Sequence, residues 1–280
     1  GDDNLMLHNF ILADRLRIIN VTDGFPVTAM ARQQSGFVAA SEDFGKDYGD
    51  CFDQLFGGVF STNLTFFDDT VSSDTNNRTS YPSPNAVMEL QFGPQEPIVK
   101  DMVDQIYAAR SAVWIASEVF LNEEIARALR YKAEAGFDVK VVLSRIGGDS
   151  ETVENLRNWF SEVQPAPGAT QPELRLNPSV SQTLILIDGR HTLANGSGPP
   201  GRIMVTPMPI FEASGYEVVG NMGREALLEV HPSGLFTDVS MWMIHESQVP
   251  SARGFNHLVN LFQRFFTNGQ GVLTNGGEPQ

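Results

Sequence analysis

The chain has 280 residues and is 41% hydrophobic, which is enough to bury a sizeable core in one large domain or two smaller ones. Its 34 acidic and 19 basic residues give a net charge of −15, which argues against a groove for nucleic-acid phosphates and against docking on anionic lipid. Cys51 is the single cysteine, which excludes an intrachain disulfide and a cysteine-based metal site.

The sequence carries weak signs of export. It has no run of about 18 apolar residues, so it predicts no membrane span. Because it begins with Gly1 and shows no signal peptide, we interpret it as a processed chain or a fragment of a longer one. Low lysine content and polar loops favour an extracellular or periplasmic location. Four Asn-x-Ser/Thr sequons, which matter only in a eukaryotic secretory protein, lie at Asn20, Asn63, Asn77 and Asn195.

The first 60 residues predict short strands followed by a helix. An apolar run at residues 10–13 closes at Asp14, and further apolar residues predict a second strand that turns back there. A third short strand precedes Ser41, which is typical of a helix N-cap. The apolar stripe that follows has helical spacing and ends at Gly57-Gly58. Cys51 lies on this stripe, which predicts a buried structural thiol.

Residues 68–85 are rich in Asp, Ser, Thr, Asn and Pro and contain almost no apolar residue. Such a composition predicts a linker. We therefore expect one unit at residues 1–67 and a second at residues 86–280.

The second unit alternates helices and strands. The pattern predicts an α/β fold with a mixed, largely parallel sheet flanked by helices. In chain order the expected elements are a helix from Ile98 to Ala109, a strand at 112–116, a helix at 123–135, a strand at 138–143, a helix at 151–160, a strand at 174–176, a loop at 195–215, a strand at 225–230 and a helix at 256–266.

One further strand carries the functional interpretation. The run from Leu184 to Ile187 is continuously apolar and ends at Asp188-Gly189, a strong turn signal. Because strand side chains alternate, Ser181 and Thr183 are expected on one face, two residues apart.

This strand and residues 98–143 resemble the phospholipase D superfamily. Ser181, Thr183 and Asp188 align with the family's H-x-K-x4-D motif, with Ser for His and Thr for Lys. Members carry two such repeats, on one chain or one in each half of a dimer, and the two motifs meet in one site. The resemblance implies that residues 1–67 are the back half of a first repeat, and that residues 86–280 are a second repeat.

The resemblance also implies a chemistry. In the family one motif His attacks phosphorus, the other protonates the leaving oxygen, the Lys residues stabilise charge and the Asp orients a His. Thr183 cannot supply a positive charge, and Ser181 could attack only with a base that the local sequence does not offer.

The first motif is similarly altered. Counting back from Asp14 without a gap places Leu7 at the His position and Asn9 at the Lys position. A one-residue deletion would instead place His8 at the His position and remove the Lys. We favour the ungapped alignment, which gives a vestigial site of Leu7, Asn9 and Asp14.

Two more residues are candidates for binding. Glu118 follows a predicted strand at the usual ligand edge of a parallel sheet, although hydrogen bonding within the loop is an alternative. His191 follows the Asp188 turn and either faces the site or is solvated. The histidines lack zinc-binding spacing, so we expect no metal and no cofactor.

These patterns favour a catalytically inactive phospholipase D-like protein that serves as a structural or binding subunit of a larger assembly. Its expected partner is another protein chain, most simply the N-terminal fragment of the same precursor. The alternative is an active phosphodiesterase or phospholipase that uses His8, or a His from a partner, through a phospho-histidine. A third hypothesis is an unrelated α/β binding protein that matches the motif spacing by chance.

Overall fold

The computed structural model describes most of the predicted elements. The described residues are 9–22, 35–58, 79–83, 86–93, 98–118, 122–144, 151–164, 167, 169–193, 196–206, 217–218, 228–229, 239–246 and 253–271. Leu7 and His8 lie outside them, as do residues 68–78 of the predicted linker.

The N-terminal part forms a small antiparallel sheet beside one helix. Its elements are β1 (Phe10–Ala13), β2 (Arg17–Val21), β3 (Gly36–Ala40) and α1 (Glu42–Phe56). The turn near Asp14 is confirmed, and so is the helix cap at Ser41, whose side chain accepts a hydrogen bond from the Phe44 amide. The helix ends at Gly57 and buries Cys51, as predicted.

The rest of the chain builds a nine-stranded sheet, in the order β14-β8-β7-β6-β9-β10-β13-β5-β4. Its strands are β4 (Thr79–Ser83), β5 (Ala86–Gly93), β6 (Ala112–Ser117), β7 (Asp138–Leu143), β8 (Glu173–Leu176), β9 (Thr183–Ile187), β10 (Arg202–Thr206), β13 (Val239–His245) and β14 (Gln270–Gly271). A separate two-stranded sheet pairs β11 (Glu217–Val218) with β12 (Leu228–Glu229). A mixed sheet is confirmed; β6-β7 and β7-β8 pair in parallel, and the other pairings are antiparallel.

Helices cover both faces of the large sheet, as predicted. They are α2 (Ile98–Ala108), α3 (Glu123–Glu134), α4 (Glu151–Glu162) and α5 (Arg253–Asn268). The first three pack against one face, where Ile185 and Ile187 point, and α5 packs against the opposite face under Leu184 and Leu186. Among the described helices, none is long and apolar enough to cross a bilayer.

Two predictions about elements need correction. The expected loop at 195–215 contains β10, a central strand that the sequence hides because its apolar run is only Ile203 to Val205. The strand expected at 225–230 is not one of them: Leu228–Glu229 is a strand, and the other residues of that range lie outside the described ones. Strand β4 lies within the predicted linker, and its polar sequence is compatible with a sheet edge.

The order of elements repeats within the chain. Two sets of elements each contain an antiparallel strand pair, a third paired strand and a helix, and we call them the repeated units. The first repeated unit is β1, β2, β3 and α1, and the second is β9, β10, β13 and α5. Each hairpin turns at an aspartate in the left-handed region, with φ of 57° at Asp14 and 56° at Asp188. Counting from these turns makes Phe37 equivalent to Trp242, and the two rings meet edge to face at 5.2 Å. Contact between equivalent residues is expected near an approximate two-fold axis.

A buried polar pair ties α1 to the small sheet. The Asn20 side-chain amide donates a 2.7 Å hydrogen bond to the Tyr48 hydroxyl, and both residues are buried. The Tyr48 ring also packs against Phe10 and Phe92, so it joins the small sheet to β5 of the large one.

We expect Tyr48→Phe to lower the free energy of unfolding by about 1–3 kcal/mol, because it leaves the buried Asn20 amide one hydrogen bond short. Tyr131→Phe is the matched control: its ring is exposed, so the change should stay within about 0.5 kcal/mol. Urea denaturation measures both, and equal losses would contradict the role of the Asn20–Tyr48 pair.

Candidate functional site

The strand that carries the predicted motif, β9, is central in the large sheet, and its N-terminal end lies among hydroxyl and amide groups. Because β6 and β9 are antiparallel, the end of β6 meets the start of β9. There the Ser117 and Thr183 hydroxyls form a 2.9 Å hydrogen bond, and both residues are buried. Thr206, at the end of β10, pairs with Thr183 in the ladder and is buried too. We call these three residues the hydroxyl edge.

Gln182 connects this edge to the N-terminal part of the chain. Its Oε1 accepts hydrogen bonds from the Thr22 hydroxyl at 2.7 Å and from the Ser35 amide at 2.8 Å. Its Nε2 donates to the Ser35 hydroxyl at 2.8 Å. All three residues are buried, so every polar atom of the Gln182 side chain is engaged across the two sheets. Gln182, which lies between Ser181 and Thr183 of the predicted motif, therefore connects the start of β9 to residues next to β2 and β3.

The chemistry of these contacts is neutral. The hydrogen bonds described for Ser117, Gln182 and Thr183 join hydroxyl, amide and backbone groups, and none of them involves a charged donor. A phosphate dianion or diester needs positive charge or several free N–H donors. In the described part of the chain, no group of three or more His, Cys, Asp or Glu residues could hold a metal ion.

The aspartate of the predicted motif lies at the other end of β9. Asp188 lies five positions after Thr183, which corresponds to ~16 Å along a strand. The Asp188 Oδ1 accepts hydrogen bonds from the Arg110 amide at 2.9 Å, the Ser111 amide at 2.7 Å and the Ser111 hydroxyl at 3.0 Å. Asp188 itself is buried. Its carboxylate thus fixes the turn between α2 and β6 rather than contacting Ser181 or Thr183.

Lys132 completes this turn from the other side. Its ammonium donates hydrogen bonds of 2.8 Å to the Tyr107 carbonyl and 2.8 Å to the Ala109 carbonyl at the end of α2. It lies 4.5 Å from the centre of the Phe137 ring. Burial lowers the pKa of Lys132, and the charge of Asp188 opposes this shift.

The other predicted site residues are distributed between the two ends. Glu118 directly follows β6 and is half-buried, at the end where the hydroxyl edge lies. Ser181 is half-buried just before β9. The backbone of His191 forms a single 3-10 turn, Arg190–Thr192, at the same end of β9 as Asp188.

The first motif is described only in part. Asp14 is exposed in its hairpin turn, and the Asn9 carbonyl accepts a 3.0 Å hydrogen bond from the Val21 amide. The equivalent turns align Asn9 with Thr183 when no gap is introduced. Leu7 and His8 lie outside the described residues, so the choice between the ungapped and the gapped alignment of the first motif stays a prediction.

Several residues of the site were not anticipated from the sequence. Ser117, Thr22 and Ser35 gave no signal, because they meet Gln182 and Thr183 only through long-range packing. Lys132 did give a signal in the sequence, because it lies seven positions after Ile125, on the apolar stripe of α3.

The fold and the repeated units define the class of protein. The chain is an α/β protein in which a hairpin, a third strand and a helix occur twice around a mixed sheet. Its fold is similar to that of solved structures that include a phosphatidylserine synthase and a phospholipase D family member.

Solved structures with a similar fold include three bacterial proteins. Phosphatidylserine synthase from Haemophilus influenzae is 10% identical with a TM-score of 0.51; the match covers 95% of this chain and 63% of the synthase. Nuc from Salmonella typhimurium, a phospholipase D family member, is 11% identical with a TM-score of 0.46, covering 68% of this chain and 99% of Nuc. NucT from Helicobacter pylori is 15% identical with a TM-score of 0.39, covering 66% of this chain and 98% of NucT. No protein-family model and no curated protein sequence matches the chain.

We expect Asp188→Asn to lower the free energy of unfolding by about 2–4 kcal/mol, because the new NH2 group would face backbone donors that now bind a carboxylate. Asp104→Asn is the matched control. It breaks only the exposed ion pair with Lys100, so the loss should be below about 0.5 kcal/mol. Urea denaturation of both variants decides, and a negligible effect of Asp188→Asn would contradict the assigned role.

The lowered pKa of Lys132 predicts a pH dependence. The unfolded chain holds this proton more tightly than the folded chain, so the stability contributed by Lys132 rises as pH increases from the lowered pKa towards 10.5, the ordinary value. The difference in unfolding free energy between the wild type and Lys132→Met should therefore grow over that range. Lys100→Met, at an exposed position, should show no such trend. A pH-independent difference for Lys132→Met would contradict the account.

Proposed function

We propose that this chain is a catalytically inactive phospholipase D-like protein that acts as a structural or binding subunit of a larger assembly. The observation that carries the proposal is the hydrogen bond between Ser117 and Thr183, at the strand end where the resemblance expects a charged pair. Both partners of this hydrogen bond are neutral hydroxyls, and a hydroxyl supplies no positive charge.

The network around Gln182 supports the same proposal. In an active site the polar groups near the reaction must be open to substrate, whereas here both polar atoms of the Gln182 side chain bind Thr22 and Ser35. Placing an anionic diester at this position would require those buried bonds to break without a described cation to replace them.

Exposed apolar side chains on the small sheet support the proposal of a larger assembly. Large apolar side chains are exposed on β1, β2 and β3, and such a surface marks an interface when it is contiguous. We propose another protein chain as the partner, most simply an N-terminal fragment of the same precursor. We also propose an extracellular or periplasmic location, on the acidic, lysine-poor composition alone.

A chromogenic phosphodiester assay tests the inactivity of the site. We expect turnover no higher than in buffer, for the purified chain and for its native assembly. His8→Ala should change nothing, and neither should His257→Ala, the control at an exposed position of α5. Turnover that is lost in His8→Ala and kept in His257→Ala would instead establish the alternative, a phosphodiesterase that uses His8. Turnover only in the assembly would point to a partner-supplied histidine.

A further inference from the structure

Strand β3 (Gly36–Ala40) forms one edge of the small sheet. In the described part of the chain it pairs with β2 and with no other strand. The burial of its residues alternates: Gly36, Val38 and Ala40 are exposed, and the two residues between them are half-buried. The Val38 residue is 77% exposed, so solvent reaches the middle of the strand.

The backbone hydrogen bonds that flank β3 show which groups of the strand lie on its outer side. The Thr22 amide donates to the Ser35 carbonyl at 2.9 Å, and the Ser41 amide donates to the Leu16 carbonyl at 2.9 Å. The bonding side alternates from one residue to the next in an antiparallel pair, so the odd-numbered residues from 35 to 41 bond towards β2. The amides and carbonyls of residues 36, 38 and 40 therefore face away from β2, and we call them the outer edge of β3.

The edges of the large sheet are protected against pairing with another strand, whereas the outer edge of β3 is not. Of the two outermost strands of the large sheet, β4 carries Pro82, which has no amide hydrogen to donate, and β14 has only two residues. Lysines, prolines, bulges and short length are the usual devices that stop sheets from joining edge to edge. Residues 35–41, with the sequence SGFVAAS, contain no charged residue and no proline. The sequence therefore leaves β3 able to add a further strand.

We propose that two copies of this chain pair through β3, antiparallel about a two-fold axis at Val38. In this register Val38 lies opposite the partner's Val38, and Gly36 lies opposite the partner's Ala40. The outward amides and carbonyls of residues 36, 38 and 40 then bond to one another, so the two three-stranded sheets join into one. This inference goes beyond the proposed function, because the hydroxyl edge has no part in it.

The charge of the chain favours β3 over other surfaces as the contact between two copies. Two chains with a net charge of −15 repel one another, and contact is least opposed where no acidic residue meets another. In the register about Val38, every residue from 35 to 41 faces an uncharged residue of the same stretch. Two valines opposite one another are a favourable cross-strand pair. An added peptide would fit the same edge but would leave its own outer side unpaired, whereas the two-fold pair occupies the β3 edge of both copies at once.

Sedimentation of the full chain at concentrations on the order of 1 μM to 1 mM tests the proposal. The expected result is a reversible equilibrium between monomer and dimer. Val38→Lys should raise the dissociation constant about fivefold or more, because the two-fold axis brings the two new ammonium groups together. Leu193→Lys changes the net charge equally at another exposed position and should leave the equilibrium unchanged. A monomer at every concentration, or equal dimerisation of both variants, would overturn the proposal.

Hydrogen exchange of the wild-type chain, followed amide by amide with NMR, shows whether β3 is the interface and needs no variant. The Val38 and Ala40 amides should exchange about tenfold or more slowly in the dimer than in the dilute monomer. The Ala39 amide, which bonds towards β2 in both states, should change little. A dimer in which the Val38 and Ala40 amides are not protected would overturn the proposal, and so would protection that requires a different polypeptide.

Discussion

The fold depends on a buried carboxylate and a buried ammonium that satisfy one turn from opposite sides. Asp188 accepts the amides of Arg110 and Ser111 as the chain enters β6, and Lys132 donates to two carbonyls as the chain leaves α2. Burying either charge alone would cost several kcal/mol, so the pair is stable only because backbone groups and the opposite charge stand in for water. Through this turn, the end of β9 sets the position of α2, β6 and α3 relative to one another.

The two ends of β9 therefore have different tasks. At its far end, Asp188 organises the scaffold with charge and multiple hydrogen bonds. At its near end, Thr183 and Gln182 are buried in neutral hydrogen bonds that connect the two sheets. Fold and function are specified by separate residues, so the interactions of Asp188 position the scaffold and do not by themselves define the chemistry at the other end of β9.

Local signals in the sequence were sufficient for much of this fold. The cap at Ser41 and the turn at Asp14 depend on neighbours a few residues away, so both could be predicted. Strand β10 could not, because its three apolar residues gain their burial from β9 and β13 on either side. The same limit applies to the site: Gln182 meets Thr22 across 160 positions of sequence, and such a contact leaves no periodic pattern. A resemblance to a motif indicated the right strand, and only the structure separated the roles of its two ends.

We propose that the hydroxyl edge and Gln182 stay closed by internal, uncharged hydrogen bonds. NMR of the isotope-labelled chain tests it most directly, by following the side-chain amide of Gln182 and the backbone amides of Ser117 and Thr183 during a titration with tungstate, an inorganic oxyanion. The account predicts that these signals stay in place, with the Gln182 amide protons slow to exchange with solvent. Saturable shifts centred on the three residues would contradict it, because they would mean that the edge opens to bind an anion.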